Sequence, residues 1–405
     1  MEYTDPGYLL FKKVASKIDE YRTQYGEEPQ VIWLQNHGIF VAADSTEEIK
    51  KIYADILNKI QENLDKPIPE GEMSIPSNVV EIIPALRMIL SRNGLKTLRL
   101  RNNALIHSFG EHLLKQQEIA LPFTPDAIVY CKSNYLFLNE ETTGSLLPEA
   151  EKAIASFEQM HGYLPKIILI KGIGLVAVGD NADQCDIILD VFEDAMKVAT
   201  ISHAFGGPHH MTAEQIDFID HWEVENYRRK VATSGSSGRV DNRTIVVTGA
   251  AQGFGEGISR CLLFEGANIV VADLNDEAGS ATATHFNSLV KGNQACFIQT
   301  NVADITSLEQ LVKETISYFG GIDCFISTAG VLRAGGLEEM TPENFEFVTK
   351  INYSAFFYVT KVVSRIMKLQ TAFAPESYYA DIIQINSKSG LEGSKANFAY
   401  AGGKF

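Results

Sequence analysis

The stretch from Thr244 to Asn275, TIVVTGAAQGFGEGISRCLLFEGANIVVADLN, constrains this chain more than any other. An apolar, β-branched run from Thr244 to Val247 enters a glycine-rich turn. A helix-like segment follows from Glu256 to Glu265, and a second apolar run from Asn268 to Ala272 ends on Asp273. Strand, glycine turn, helix, strand and acid, in that order, spell a dinucleotide-binding βαβ unit. Gly249 allows the tight turn, Gly253 lets the backbone approach a pyrophosphate, and Gly255 lets the helix sit close to the strand with its first N–H groups toward the phosphates. A carboxylate just after the second strand suits the two hydroxyls of an adenosine ribose and repels the extra phosphate of NADP. The pattern therefore points to NAD.

The same alternation continues to the end of the chain. Strands are expected at 244–248, 268–273, 295–302, 322–328 and 380–386, with helices near 255–265, 276–290, 305–319, 341–350 and 353–369. Thr341-Pro342 is an N-cap followed by proline at the first helical position. This predicts an α/β fold with a doubly wound parallel sheet and right-handed crossovers. Ser327-Thr328-Ala329-Gly330, Asn352, Ser387, Tyr400 and Lys404 fall where such a sheet places its carboxyl-end loops. Tyr400 and Lys404, four apart on a helix, share a face, so the ammonium favours the phenolate. The phenol then exchanges a proton with an alcohol or carbonyl while NAD exchanges a hydride. Ser387 is placed to hold the substrate oxygen and Asn352 to order a water path for the proton.

At these residues the sequence resembles the short-chain dehydrogenase/reductase family over Arg239 to Phe405. The resemblance implies a Rossmann-type domain, catalytic Asn352, Ser387, Tyr400 and Lys404, and NAD contacts from Thr248, Gly249, Gly253, Phe254, Gly255, Asp273, Leu274, Asn301, Val302, Thr328, Ala329 and Gly330. Two positions depart from the family pattern. Thr328 stands where the first residue of an Asn-Ala-Gly is usual, and Asn301 where an acid is usual near the end of the third strand. The run INSKSGLEGSKANFAYAGGKF is similar to polyol and sugar-phosphate members. Family members continue beyond the point reached at Lys404, so the dehydrogenase part is expected to be incomplete and poorly active as it stands.

The first part of the chain contains an echo. Tyr21 to Glu48, YRTQYGEEPQVIWLQNHGIFVAADSTEE, aligns without a gap with Phe157 to Gln184, FEQMHGYLPKIILIKGIGLVAVGDNADQ. Gly26, Pro29, Gly38 and Asp44 pair with Gly162, Pro165, Gly174 and Asp180, which reads as a duplication. Asn36-His37 in the first copy becomes Gly172-Ile173 in the second, so a polar, metal-capable turn in one is apolar in the other. The residues divide the chain into a unit at 1–63, a linker at 64–77, a second unit at 78–232, a TSGSSG-type linker at 233–238 and the nucleotide unit at 239–405. Residues 1–63 resemble the end of a class II aldolase/adducin-type domain, and 78–232 a degenerate second copy. The resemblance makes His37 a zinc ligand whose partner ligands lie upstream of this chain, so zinc is expected only in a complete aldolase domain. His203, His209, His210 and His221 could suggest another metal cluster, but the run AFGGPHH from Ala204 to His210 reads as a loop.

The whole order resembles fusion proteins that join a rhamnulose-phosphate aldolase to a lactaldehyde dehydrogenase for deoxyhexose catabolism. The chain is then a fragment of such a fusion, short at both ends. Two other readings stand beside it: a sorbitol-6-phosphate-type or other polyol dehydrogenase with a non-catalytic assembly module, and a non-catalytic interaction protein. The balance of 35 basic against 51 acidic residues disfavours a nucleic-acid partner, and no run of the sequence has membrane-spanning character. Cys131, Cys185, Cys261, Cys296 and Cys324 are scattered and read as buried thiols of a reducing, cytoplasmic protein. The expected partners are a small sugar-phosphate or aldehyde substrate and further copies of the chain.

Overall fold

A computed structural model describes residues 1–64, 67–139, 146–222 and 238–404. These residues form two compact units. One gathers the described residues of Met1–Met73, Asn103–Phe137 and Asp190–Ser234, and the other those of Ser74–Asn102, Leu138–Leu189 and Gly235–Phe405. The segment read as one unit at 78–232 is thus shared between them. The linker at 233–238 falls, except for Gly238, outside the described residues, as do residues 65 and 66 of the linker at 64–77. Within that linker Glu72 bridges Asn103, and Gly71 O accepts the Ala104 N–H at 2.9 Å.

The first unit carries the helix Tyr8–Tyr25, the antiparallel hairpin β1 (Val31–Leu34) and β2 (Gly38–Val41), and the helix Thr46–Glu62. Ser45 caps the last of these by accepting the Glu48 N–H. One small apolar cluster in it is Ile128, Met211 and Ile219, with Tyr3, Val129, Ile216 and Trp222 packed on it.

The second unit contains β3 (Thr97–Arg101), β5 (Ile167–Ile170) and β6 (Gly174–Gly179), with β6 antiparallel to both β3 and β5, whereas most of the short β4 (Leu136–Leu138) belongs to the first unit. The alternating pattern of the last third gives β7 (Thr244–Thr248), β8 (Asn268–Asp273), β9 (Ala295–Gln299), β10 (Cys324–Ser327) and β11 (Asp381–Gln384), all parallel, in the order β11-β10-β7-β8-β9. Its helices are Gly253–Phe264, Asp276–Leu289, Ile305–Phe319, Pro342–Thr349 and Ala355–Phe373. The centre of this sheet is buried on both faces, as a parallel sheet requires, with Ile245, Val247, Ile269 and Val271 meeting Leu263 and Phe286. β9 stops earlier than expected, at Gln299. The Thr300 N–H makes the last bond to β8, at Asp273 O, and beyond it Asn301 Oδ1 takes the Ala303 N–H as the chain turns away.

The cysteines are free, and Cys131, Cys185 and Cys324 are buried, but Cys261 is exposed on the helix Gly253–Phe264, where the reading of five buried thiols is corrected. No helix among the described residues is long and apolar enough to cross a membrane.

Candidate functional site

A cleft of about 410 Å³ opens at the carboxyl ends of β7, β8 and β10. Gly249, Gly253, Phe254, Gly255, Asp273, Leu274, Asn301, Val302, Thr328, Ala329 and Gly330 all line it, together with Gln252, Val331 and Ile351. Thr248 lies beneath, buried, and its hydroxyl oxygen accepts the backbone N–H groups of Thr328 and Ala329 at 3.2 and 3.3 Å. This clamps the loop after β10 onto the end of β7.

The glycines have separable reasons. Gly249 has φ 64°, and a Cβ there would stand 3.0 Å from the Ala329 Cα. A Cβ on Gly255 would stand 2.2 Å from Gly249 O, so only glycine lets the helix lie this close to the turn. Gly253, at φ 65°, faces open space. The helix Gly253–Phe264 has no side-chain cap at Gln252, which leaves its first N–H groups directed outward as an anion cradle. The Asp273 carboxylate closes the other side. Its Oδ2 accepts the Ala251 N–H at 3.1 Å and its Oδ1 the Asn275 N–H at 3.0 Å. Each carboxylate oxygen keeps a further lone pair for a ligand hydroxyl. Bare backbone, an uncapped helix start and an oriented acid fit a dinucleotide.

Two of the four proton-handling candidates, Asn352 and Lys404, lie on the Gly330 side, and Tyr400 and Ser387 are not among the residues that line the cleft. Asn352 sits in a single π-turn, Lys350–Ser354, between the helices Pro342–Thr349 and Ala355–Phe373. It is buried, and its amide grips Val331 from both sides, accepting the N–H at 2.8 Å and donating to the carbonyl at 2.9 Å. Lys404 is also buried, and its ammonium donates to Ile385 O at 2.9 Å. Burial lowers its pKa from the usual lysine value. A Cβ on Gly330 would meet Asn352 Oδ1 and Lys404 Nζ, each at 3.4 Å, which fixes both polar groups beside the cleft lining. Tyr400 is half-buried on the short helix Phe398–Gly402. That helix is held by Phe398 stacked on Phe345 at 6.0 Å and by the Gly335 N–H on Ala396 O at 2.7 Å. The helix ends at Gly402 and Lys404 lies beyond it in a turn, its N–H on Ala401 O at 3.1 Å, so the expectation of one helical face carrying both Tyr400 and Lys404 is corrected. Ser387 caps the helix Lys388–Glu392, accepting the Ser389 N–H at 3.3 Å and keeping its own proton to donate.

His37 is exposed on the turn between β1 and β2. Among the described residues no group of three or more His, Cys, Asp or Glu side chains is placed to hold a metal. Asn36, next to His37, is the structural member of that turn, donating to Phe123 O at 2.9 Å and His209 O at 2.8 Å. Three other histidines have local partners: His203 on Glu118 Oε1 at 3.1 Å, His210 on Glu118 O at 2.8 Å, and His221 on Asp217 O at 2.9 Å.

The sequence reading missed a buried polar group at the far end of β7 and β10, centred on Arg87 and Asp323. A single arginine inside VVEIIPALRMIL was the available signal, since an uncompensated cation has no place in an apolar helix.

Residues 243–405 match the family described as short chain dehydrogenase, and residues 77–228 the family described as aldolase class II, second domain. An uncharacterized oxidoreductase of Bacillus subtilis, YuxG, is 20% identical over 98% of this chain and 61% of its own length. A sorbitol dehydrogenase of Cereibacter sphaeroides is 32% identical over 32% of this chain and 48% of its own length. A solved short-chain dehydrogenase/reductase from Brucella melitensis, titled glucose/ribitol dehydrogenase, is 26% identical over 42% of this chain and 66% of its own, with a TM-score of 0.37. The chain thus spans less than two thirds of these relatives' own length, at 61% and 48% of the two curated proteins.

Proposed function

We propose that this chain, in which a short-chain-dehydrogenase segment follows a class II aldolase second-domain segment, is an NAD-dependent oxidoreductase acting on a small aldehyde or secondary alcohol derived from sugar-phosphate cleavage. The observation that supports the reading is that the Gly249–Gly255 turn, Asp273 and the Thr328–Gly330 loop line one cleft, with Asn352 and Lys404 beside Gly330. NAD, when bound, supplies the hydride acceptor. The cleft residues hold the two phosphates at the start of the helix Gly253–Phe264 and the ribose hydroxyls at Asp273, whose charge disfavours an added phosphate. Tyr400 exchanges the proton of the substrate oxygen, Ser387 donates a hydrogen bond to that oxygen, and Lys404 and Asn352 hold the charge and geometry around them.

The domain organisation proposed with this function is the one read from the residues: 1–63 and 78–232 aldolase-like, 239–405 dehydrogenase. The resemblance to rhamnulose-phosphate aldolase/lactaldehyde dehydrogenase fusions supports lactaldehyde as the substrate. A second reading, a polyol or its phosphate, is favoured by the sorbitol dehydrogenase relative. Assembly with further copies of the chain and a cytoplasmic location belong to the same proposal.

Calorimetry with NAD⁺ and NADP⁺ tests the cofactor first, with NAD⁺ expected to bind the more tightly. Hydride transfer, followed as NADH absorbance with lactaldehyde and with sorbitol, then separates the two substrate readings. Tyr400→Phe should leave NAD⁺ binding in place and lower turnover by about 10²–10⁴-fold. Loss of binding in that variant would mean that Tyr400 shapes the fold rather than the chemistry.

A further inference from the structure

Beneath the parallel sheet, at the ends of β7 and β10 away from the cleft, a charged pair is sealed in the interior. Arg87 comes from the helix Val79–Leu90 and Asp323 directly precedes β10, and both side chains are fully buried. Arg87 Nη1 donates to Oδ1 at 2.9 Å and Nη2 to Oδ2 at 2.8 Å, a bidentate pair. The guanidinium also donates to Lys96 O at 2.6 Å and Asn242 O at 3.2 Å. Asp323 accepts in turn the Thr244 N–H at 2.7 Å and the Tyr378 hydroxyl at 2.7 Å. Its backbone N–H donates to Thr244 O, and its carbonyl takes the Asp381 N–H. One carboxylate therefore organises the starts of β7, β10 and β11. Burial alone would push its pKa up, but the Arg87 charge and these hydrogen bonds hold it below the usual carboxylate range.

The seam continues sideways. The Thr97 hydroxyl donates to Asn242 Oδ1 at 2.5 Å, and Asn268, which opens β8, donates to both Thr97 and Asn242 at 3.2 Å. Thr97 belongs to β3, which pairs with β6 and through it with β5. The helix Val79–Leu90 packs on the helices Ile305–Phe319 and Ala355–Phe373, the latter beginning just past the Asn352 turn. Two buried charges survive only while each keeps its partner, so neither the helix nor the sheet can open here without stranding the other's charge.

We propose that Arg87 and Asp323 make residues 79–101 of the aldolase-second-domain segment the floor of the nucleotide-type sheet, so that occupation of the cleft and the local stability of β5 and β6 are thermodynamically coupled. Only the ligand half of this rests on the dinucleotide reading. A ligand that binds the folded cleft stabilises everything that must unfold with it.

Native-state hydrogen exchange by mass spectrometry on the whole chain tests it in three steps. In low urea without ligand, peptides from β5–β6 and from β7 should merge onto one opening isotherm. Opening of β5–β6 while β7 stays protected overturns the proposal, and this step needs no variant. Arg87→Met should then lower protection of both sets by the same factor, about a hundredfold or more, with Arg87→Lys in between. A loss confined to residues 79–102 overturns it. Finally, NAD⁺ at about a hundred times its dissociation constant should raise both sets about a hundredfold in the wild-type chain. A rise at β7 alone overturns the coupling. No rise anywhere defeats the nucleotide reading instead, and the floor is then decided by the first two steps.

Discussion

β1–β2 and β5–β6 follow one plan in two settings. The registers Val31↔Val41 and Ile167↔Ala177 are related by the same offset, 167 − 31 = 177 − 41 = 136. Asn36 and Gly172 occupy the left-handed region at φ 56° and 72°, and Gly38 and Gly174 follow at 139° and 133°. The turn bonds agree as well, His37 N–H to Leu34 O at 3.2 Å and Ile173 N–H to Ile170 O at 3.1 Å. Burial does not agree. Every residue of β5 and β6 is buried, whereas β1 and β2 bury only Leu34. Trp33 and Phe40 are 53% and 49% exposed, while Leu169 and Val176, at the same places in the second copy, are 1% and 0%. Turn chemistry thus fixes a hairpin locally, and its neighbours decide what the hairpin is worth to stability.

Acid should separate the two hairpins most strongly. The unit holding β5–β6 also holds Asp323, whose carboxyl is kept below the usual range in the folded chain. Its stabilisation is fully present above about pH 4, where the unfolded carboxyl is ionised, and is lost as pH falls through the lower folded value. Protonation removes one partner of the buried pair, a loss of about 3–5 kcal/mol. Both tryptophans of the chain, Trp33 and Trp222, belong to the unit of the first hairpin, so their emission follows that unit alone. Urea midpoints measured by far-UV circular dichroism should fall below pH 4 out of step with those from tryptophan emission. Coincident midpoints at every pH would mean that the two hairpins share one fate.

Next in size is side-chain deletion at one shared position. Leu169→Ala should cost about 2–5 kcal/mol as a core cavity, and Trp33→Ala less than about 1 kcal/mol, both read from urea unfolding. Equal costs would show β1 covered in solution. A smaller contrast isolates packing from backbone strain. Gly38→Ala and Gly174→Ala both force a side chain into a positive φ, but only at Gly174 does the new Cβ meet Arg101 O, at 2.6 Å. Gly174→Ala should therefore be worse by about 1–3 kcal/mol, and equal losses would assign the whole cost to φ.

What the residues revealed in advance follows the same division between local and neighbouring causes. The glycine turn, the Thr341 cap and the strand alternation of 239–405 are written in short-range chemistry, and the structure places them where the spacing puts them. The two hairpins were legible as a repeat for the same reason. VIWL and IILI are equally apolar, however, and nothing local says that the hairpin holding IILI is the one joined by β3. The cleft lining was legible because its residues serve backbone geometry. Asp323 was not, because its partner lies 236 positions away, and pairing across that distance leaves no periodic trace in either segment.

The mildest contrast concerns the turn itself. Asn36→Gly gives the first hairpin the residue its twin already carries at Gly172, and glycine accepts φ 56° without strain. The backbone plan of the turn is then unchanged, and only the two side-chain bonds to Phe123 O and His209 O are lost. One is partly buried and one exposed, so together they should be worth about 1 kcal/mol. The reverse change, Gly172→Asn, projects into open space and should lie within about 0.5 kcal/mol of the parent. Tryptophan-detected urea unfolding reads the first variant and far-UV dichroism the second. If Asn36→Gly costs nothing, the loops at Phe123 and His209 are held by other contacts, and the polarity of the first turn has no structural purpose. If it costs the expected amount, the Asn36-for-Gly172 difference is explained by these ties, because the exposed hairpin needs an anchor that the buried one obtains from its sheet.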